Sequence, residues 1–280
     1  MASRLLAIKN LSKTWALLLI VCAALGGLGW LLGGYRLCLI FVFCGLLLGA
    51  AVYWYADRAV LGLVRARELP QAEMPGLHST IERLAAVAGV LKPKLALMQD
   101  GLPLACAAGR GPRSSTLVVS KGLLAALPPA ELEGVLAHEL AHIRHRDVLV
   151  QSVGALVAAV LIESSRVGGW FRRALLFVLG PIASAFVHLL VSPKREYDAD
   201  RSAAHICGSP LAVAAALVRL DEASELVSFR GSPAAELLYS IDPFEEDGLA
   251  ALFVTHPPVA ERVRRLRALE PGSPAELEAA

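Results

Sequence analysis

The chain has 280 residues, of which 56% are hydrophobic and 19% are charged. Soluble domains are nearer to half apolar and a quarter charged, so this composition indicates a membrane-associated protein. The formal net charge is only +2, and no long Lys/Arg block occurs, which excludes a charge-based case for nucleic-acid binding. The five cysteines include no Cys-x-x-Cys pair, which excludes a zinc ribbon and a dithiol redox motif.

Two apolar runs lie near the start of the chain, over residues 15–32 and 37–55, and neither contains a charge. Each is about the length of one bilayer crossing, and the four residues between them predict a helical hairpin. We therefore expect a cytosolic segment over 1–14 and a transmembrane hairpin over 15–55. A cleaved signal peptide is the alternative for the first run, but no small-x-small cleavage site stands out and a second run follows at once.

The next stretch, residues 56–147, is of mixed polarity and predicts the first part of a soluble catalytic domain. Apolar residues recur at helical spacing over 77–88, and Gly89 can end that helix. Short strands are predicted over 95–98, 104–107 and 116–119, with turn signals at Asp100-Gly101 and over 109–111. We expect these strands to form a small antiparallel sheet.

Pro128 and Pro129 open a further predicted helix, whose residues 138–142 read His-Glu-Leu-Ala-His. Residues four apart share a helix face, so His138 and His142 can bind one Zn²⁺. Glu139 can act as general base toward a water at that metal. A solvated helix face carrying two histidines is the alternative.

A catalytic zinc site takes three protein ligands and keeps one position open. The carboxylates within residues 196–200 are the best source of the third ligand: Glu196 can bind the metal while Asp200 accepts a hydrogen bond from a ligand histidine. Taken alone, the same carboxylates also fit a solvated helix start. Asp147 is placed to cap or orient the zinc helix, and His145 is predicted to lie on the surface.

A second pair of apolar runs, residues 148–162 and 174–191, predicts another transmembrane hairpin over 148–192. A pair of buried helices in a larger soluble core is the alternative. Residues 193–270 are again polar and helical in pattern, and they predict the second part of the catalytic domain. Residues 271–280 are expected to form a tail.

Together these features resemble the HtpX-type membrane metallopeptidases, which are relatives of the CAAX prenyl endopeptidases. The zinc-helix motif, the segment 195–200 and the run His256-Pro257-Pro258 with Arg262 carry the resemblance, over most of residues 10–270. It implies a mainly α-helical membrane protein with a gluzincin-like zinc peptidase domain and two transmembrane hairpins. It also implies one Zn²⁺ per chain with Glu196 as the third ligand and Asp200 beside the ligands.

The resemblance further implies a cytosol-facing endopeptidase in the bacterial inner membrane, which cleaves misfolded or surplus membrane proteins. The family carries an Asn-Ala-Phe-Ala type segment on the strand beside the cleft. The matching positions here are Leu104, Ala105, Cys106 and Ala107. An edge strand binds an extended peptide chiefly through its backbone, so we predict that these residues bind substrate with an altered side-chain preference.

His256 is the second candidate catalytic residue, since its segment packs near the cleft in the family. It either stabilises the oxyanion of the tetrahedral intermediate or caps the helix that runs on through Arg262.

Two other functions stay open. A site-2-type intramembrane zinc protease shares the His-Glu-x-x-His signature, but it would hold the motif inside a spanning helix. The charges at Glu131, Glu133, Arg144 and Arg146 argue against that location. The altered strand over 104–109 also allows a membrane scaffold that binds zinc without cleaving peptides.

Overall fold

The fold is known from a computed structural model that describes residues 2–149, 151–152, 193–226 and 257–270. The predicted second hairpin over 148–192 falls almost wholly outside the described residues, as do His256 and the predicted tail. The helices are α1 (Ala2–Leu63), α2 (Pro75–Ala88), α3 (Lys121–Ala126), α4 (Pro129–His145), α5 (Pro193–Cys207), α6 (Pro210–Leu226) and α7 (Val259–Arg267). The strands are β1 (Arg67–Glu68), β2 (Lys94–Met98), β3 (Ala105–Gly111) and β4 (Ser114–Ser120).

Helix α1 consists of two arms that lie side by side. The chain leaves the helical conformation at Gly33 and Gly34, inside the predicted four-residue link. The arms approach closely through small residues: a Cβ added to Gly26 would come within 2.8 Å of Val42 Cγ2. Small residues at such positions let helix backbones pack tightly without a polar driving force.

Most of the exposed side chains that the structure describes on these arms are apolar. Among the described residues, one stretch is long and apolar enough to cross a membrane, Leu25–Tyr55, and it runs across the reversal at Gly33 and Gly34. Large side chains on it are open to the surroundings, with Leu31 83% and Phe43 61% exposed. An apolar surface of this extent marks contact with a membrane or with another protein.

The sheet is mixed, with strand order β1-β2-β4-β3, so the expected purely antiparallel sheet is wrong. β1 and β3 pair antiparallel with their neighbours, but β4 runs parallel to β2. β4 carries Leu117, Val118 and Val119, which are at most 1% exposed, and side chains buried on both faces favour a central position. Strand β3, which is rich in alanine and glycine, lies at one edge of the sheet.

Helix α4 is the centre of the catalytic domain, because it contacts α1, α2, α5, α6 and β3. Its apolar residues face several directions, and Leu136, Ala137, Leu140, Ala141 and Ile143 are all fully buried. A helix with apolar residues around most of its circumference is stable only inside a core. The sheet lies on one side of α4, and α5 and α6 lie on the other.

Gly134 allows α6 to approach α4. A Cβ at Gly134 would lie 3.1 Å from Val213 Cα and 3.2 Å from Val213 N, and backbone atoms cannot move aside as a flexible side chain can. The spacing of the two helices therefore depends on this glycine.

We expect Gly134→Val to destabilise the protein by roughly 1–3 kcal/mol, because the added methyl groups meet the α6 backbone. Thermal unfolding of the purified protein in detergent measures the effect. Gly76→Val on α2 is the matched control, since nothing lies within 4 Å of a Cβ there. Equal melting temperatures for the two variants would contradict the packing argument.

Candidate metal centre

The zinc-helix motif lies in the buried middle part of α4. His138, Glu139 and His142 are each only 2–3% exposed. Proline in the first turn starts the helix, and Arg146 ends it in the left-handed conformation, with φ 62°. That turn brings Asp147 back under the last helical turn, where its N–H donates to the His142 carbonyl at 3.0 Å.

Helix α5 brings a carboxylate against both imidazoles. His138 Nε2 lies 3.5 Å from Glu196 Oε2, and His142 Nε2 lies 3.5 Å from Glu196 Oε1. The two Nε2 atoms are 3.1 Å apart. Glu196 is 1% exposed, so three ligand-type side chains converge in a dry site.

These separations match a tetrahedral metal site. Two nitrogens bound to one Zn²⁺ at about 2.0–2.1 Å lie roughly 3.3–3.4 Å apart, close to the observed 3.1 and 3.5 Å. Among the described residues, His138, His142 and Glu196 form a group whose ligand atoms all lie within 4.8 Å of one another. The donor set, two imidazoles and one carboxylate, is one that catalytic zinc takes.

The other ring nitrogens face two more carboxylates. His138 Nδ1 lies 3.0 Å from Asp200 Oδ1, and His142 Nδ1 lies 3.2 Å from Asp147 Oδ2. When an Nδ1–H points at a carboxylate, the Nε2 lone pair is left for a metal. Each predicted ligand histidine thus has a partner that can orient its ring.

Arginines stand behind both of these carboxylates. Arg262 on α7 donates from Nε and Nη2 to the two oxygens of Asp200, at 2.8 and 2.7 Å, and it is fully buried. Its Nη2 also lies 3.6 Å from Glu196 Oε2. Arg195 Nε lies 3.6 Å from Asp147 Oδ1. The guanidinium groups offset part of the negative charge that the carboxylates concentrate here.

The electrostatics favour a cation between the histidines. Burial alone would lower the pKa of His138, but hydrogen bonds with Asp200 and Glu196 outweigh it and raise the pKa to about 10. Burial would raise the pKa of Asp200, but the charge and hydrogen bonds of Arg262 lower it to about 2. The ionised carboxylates thus stabilise positive charge on the imidazoles, and a divalent ion can take the place of those protons.

The candidate substrate strand runs beside the predicted base. Cys106 on β3 is 1% exposed; burial raises the pKa of its thiol, and the nearby charge of Glu139 raises it further. Ala105 and Ala107 lie on the same strand, whereas Leu104 precedes it and donates its N–H to Ser120 Oγ at 2.9 Å. The backbone of residues 105–107 is therefore more available for pairing with a peptide than that of Leu104, whose N–H is already used.

The prediction that His145 lies on the surface is wrong. It is 6% exposed, and its Nε2 is 3.2 Å from Ser202 Oγ on α5. Helix α5 packs along α4 and covers the side of α4 that carries His145, so this residue does not meet solvent.

The sequence predicts Arg262 as a structural ion-pair residue rather than a substrate clamp, but it did not identify Asp200 as the partner. A signal was available, because Arg262 shares a helix face with Val263 and Leu266, which are buried. A charged residue on such a face indicates a buried partner.

Comparison with known proteins agrees with this geometry. Peptidase family M48 matches residues 71–270. A protease HtpX homolog of Pyrococcus abyssi is 38% identical, over 93% of this chain and 96% of its own. The corresponding homolog of Acidiphilium cryptum is 38% identical, over 92% and 96%.

The fold is also similar to a solved structure, that of S. mikatae Ste24p. The TM-score is 0.51 at 18% identity, and the match covers 91% of this chain and 67% of the other. The family match spans strands β2 to β4, α4 and the helices that carry Glu196 and Arg262. The chain therefore belongs to peptidase family M48 and is a metalloprotease.

Proposed function

We propose that the protein is a membrane-bound zinc endopeptidase with His138, His142 and Glu196 as the metal ligands. The observation that carries the proposal is the convergence of the three side chains. The two Nε2 atoms are 3.1 Å apart and each lies 3.5 Å from one of the two oxygens of Glu196, about the edge length of a zinc tetrahedron. One Zn²⁺ per chain follows from one such group among the described residues. Bound zinc supplies a Lewis acid, which acidifies water and polarises a carbonyl.

Glu139 is the proposed general base. It follows His138 directly on α4 and is 3% exposed, so its carboxylate is held in the same buried region as the donors. It takes the proton of the attacking water and then gives that proton to the leaving amine. His256 stays a candidate for the oxyanion or for a helix cap.

The residues behind the ligands hold the reacting geometry. Asp200 and Asp147 fix the ring orientation of His138 and His142, and Arg262 and Arg195 hold those carboxylates in turn. Preorganised groups of this kind do not have to reorient as charge develops on the substrate.

The substrate is proposed to be an extended peptide that pairs with the edge strand β3. The strand order leaves β3 at one end of the sheet, and Cys106 on it neighbours Glu139. Backbone pairing along 105–107 would place a peptide bond beside the base.

A membrane location is supported by the exposed apolar surface of α1. The polar catalytic domain follows α1 directly, so the site would lie near the bilayer surface. Membrane proteins that are misfolded or surplus are the proposed substrates. We propose the bacterial inner membrane, with the active site facing the cytosol.

Two observations weigh against a site-2-type intramembrane protease. The zinc helix α4 packs against strand β3 of a sheet and against the helices α2, α5 and α6 of the catalytic domain. The donor nearest both Nε2 atoms is the glutamate Glu196, whereas an aspartate there would favour the rival. The scaffold alternative predicts zinc without peptide cleavage, and the first experiment below tests it.

We expect Glu139→Gln to lower casein cleavage by about 10²–10⁴-fold, because the general base is lost, while zinc stays near one per chain. His142→Ala is expected to lose both zinc and activity, since it removes a ligand. Metal analysis and a cleavage assay with and without chelator measure both. Cleavage at the wild-type rate by Glu139→Gln would reject the base, and zinc-loaded wild-type protein without cleavage would favour the scaffold.

Glu196→Ala should weaken zinc binding far more than Asp200→Asn. The first removes a metal bond, whereas loss of an orienting partner changes affinity by about 10–100-fold. Asparagine is used because alanine would leave Arg262 buried without its two hydrogen bonds. Zinc titration against a competing chelator gives the affinities, and equal, mild losses would point to Asp198 as the ligand instead.

Basic residues predict the orientation in the bilayer, since they are enriched on the cytosolic side. Ten lie on the proposed catalytic side: Arg4, Lys9, Lys13, Arg58, Arg65, Arg67, Arg144, Arg146, Lys194 and Arg195. Four lie in the two opposite turns: Arg36, Arg166, Arg172 and Arg173.

A single cysteine at Gly169 should therefore react with a membrane-impermeant reagent on intact cells, and one at Ser273 should not. The native cysteines are replaced first, and lysed cells give the control for reactivity. Labelling at Ser273 alone would invert the orientation, and labelling at neither would favour buried helices over 148–191.

A further inference from the structure

Strand β3 contains a bulge that turns one arginine out of the sheet. Gly109 pairs with Ser115 and Gly111 with Ser114, so Arg110 is an extra residue with no partner on β4. Both flanking glycines have φ values that other residues rarely adopt, +152° and +146°. A bulge of this kind re-aims a side chain, and here the glycines make the required backbone possible.

The re-aimed side chain reaches the aromatic end of α1. The Arg110 Cζ atom lies 4.8 Å from the centre of the Trp54 ring and 5.9 Å from that of Tyr53. Trp54 is 61% and Tyr53 45% exposed, and both lie at the end of the apolar stretch Leu25–Tyr55. Aromatic side chains at this position are typical of the level of lipid headgroups.

The guanidinium group has hydrogen-bonding capacity to spare. Its Nη2 donates to Ser114 Oγ at 3.2 Å, but its buried Nε has no acceptor. Among the residues that the structure describes, Arg110 forms no ion pair with a carboxylate. A guanidinium that has no carboxylate partner and lies against exposed aromatic rings can bind an anionic oxygen, and its planar fork suits a phosphate.

We propose that Arg110, stacked on Trp54, binds the phosphate of an anionic phospholipid. The ligand is a phosphodiester with net negative charge, such as phosphatidylglycerol, because a zwitterionic headgroup brings its own competing cation. Arg58, 5.9 Å from the Tyr55 ring, adds positive charge nearby. The site rests on the proposed placement of α1 in a bilayer.

This site would join the substrate strand to the membrane surface. Arg110 is four residues beyond Cys106, which neighbours Glu139, and both lie on β3. A lipid phosphate held by Arg110 therefore fixes the height of β3, and with it the predicted peptide track, relative to the headgroups.

The test uses protein in which Trp54 is the single tryptophan, with Trp15, Trp30 and Trp170 replaced by phenylalanine. Micelles of this protein are titrated with acyl-brominated phosphatidylglycerol or phosphatidylcholine, and quenching of Trp54 fluorescence is followed. We expect half-quenching at an about tenfold lower mole fraction of phosphatidylglycerol, as a charge-assisted contact would give. Arg110→Gln should abolish this preference but keep quenching by both lipids, whereas the matched control Arg113→Gln should keep the preference.

A preference that survives Arg110→Gln, or that Arg113→Gln removes equally, overturns the site. Loss of the preference in excess inorganic phosphate also overturns the lipid site, because it would show a site for free phosphate. Quenching by neither lipid would reject the membrane placement itself. Zinc content of the same samples is expected to be unchanged, and it reports on the metal centre and on folding separately.

If Arg110→Gln does not fold, Arg110→Lys takes its place. Lysine keeps the charge but lacks the planar fork, so the preference should fall several-fold. An unchanged preference in Arg110→Lys would overturn the stacked guanidinium site.

Discussion

The buried contact between Arg262 and Asp200 is the interaction on which the metal centre depends. Glu196, Asp200 and Asp147 are each at most 3% exposed, and carboxylates resist such burial unless positive charge is close. Arg262 supplies it to Asp200 through two short hydrogen bonds and lies 3.6 Å from Glu196, while Arg195 lies beside Asp147. Removing one partner of such a pair costs about 3–5 kcal/mol, because the other charge is left buried and uncompensated.

This constraint explains the arrangement of the helices around α4. Glu196 and Asp200 are one turn apart on α5, so a single face of that helix meets both His138 and Arg262. α7 must then pack across α5, where Arg265 also lies 3.8 Å from the Tyr197 ring. Because α6 contacts α4, α5 and α7, the absence of a Cβ at Gly134 affects the packing of all four helices.

Local patterns in the sequence predicted most elements of the catalytic domain. The helix over 77–88, its end at Gly89 and the three strands lie within one to four residues of the observed bounds. The expectation of a purely antiparallel sheet was wrong, because periodicity reports which residues are buried and not in which direction neighbouring strands run. β3 and β4 do form a hairpin, but the glycines at 109 and 111 form a bulge inside β3 instead of the turn.

For the site, spacing within one helix was enough to place His138 and His142 together, and the family resemblance supplied Glu196. The structure brings these three side chains into one group, with Asp147 and Asp200 at the outer nitrogens. The contact of Arg262 with Asp200 spans 62 residues, and no local pattern encodes a distance of that kind. The burial of His145 was not predicted for the same reason, because the residue that contacts it, Ser202, is distant in the sequence.

The late position of α7 along the chain has a consequence for biosynthesis. A ribosome makes α4 and α5 before Arg262, so for that interval Asp200 and Glu196 lack the guanidinium that Arg262 later supplies. Their charge balance then disfavours burial in a common core, and the centre cannot close early. A nascent chain that stops short of α7 therefore carries the ligand residues before the charge that stabilises their burial is present.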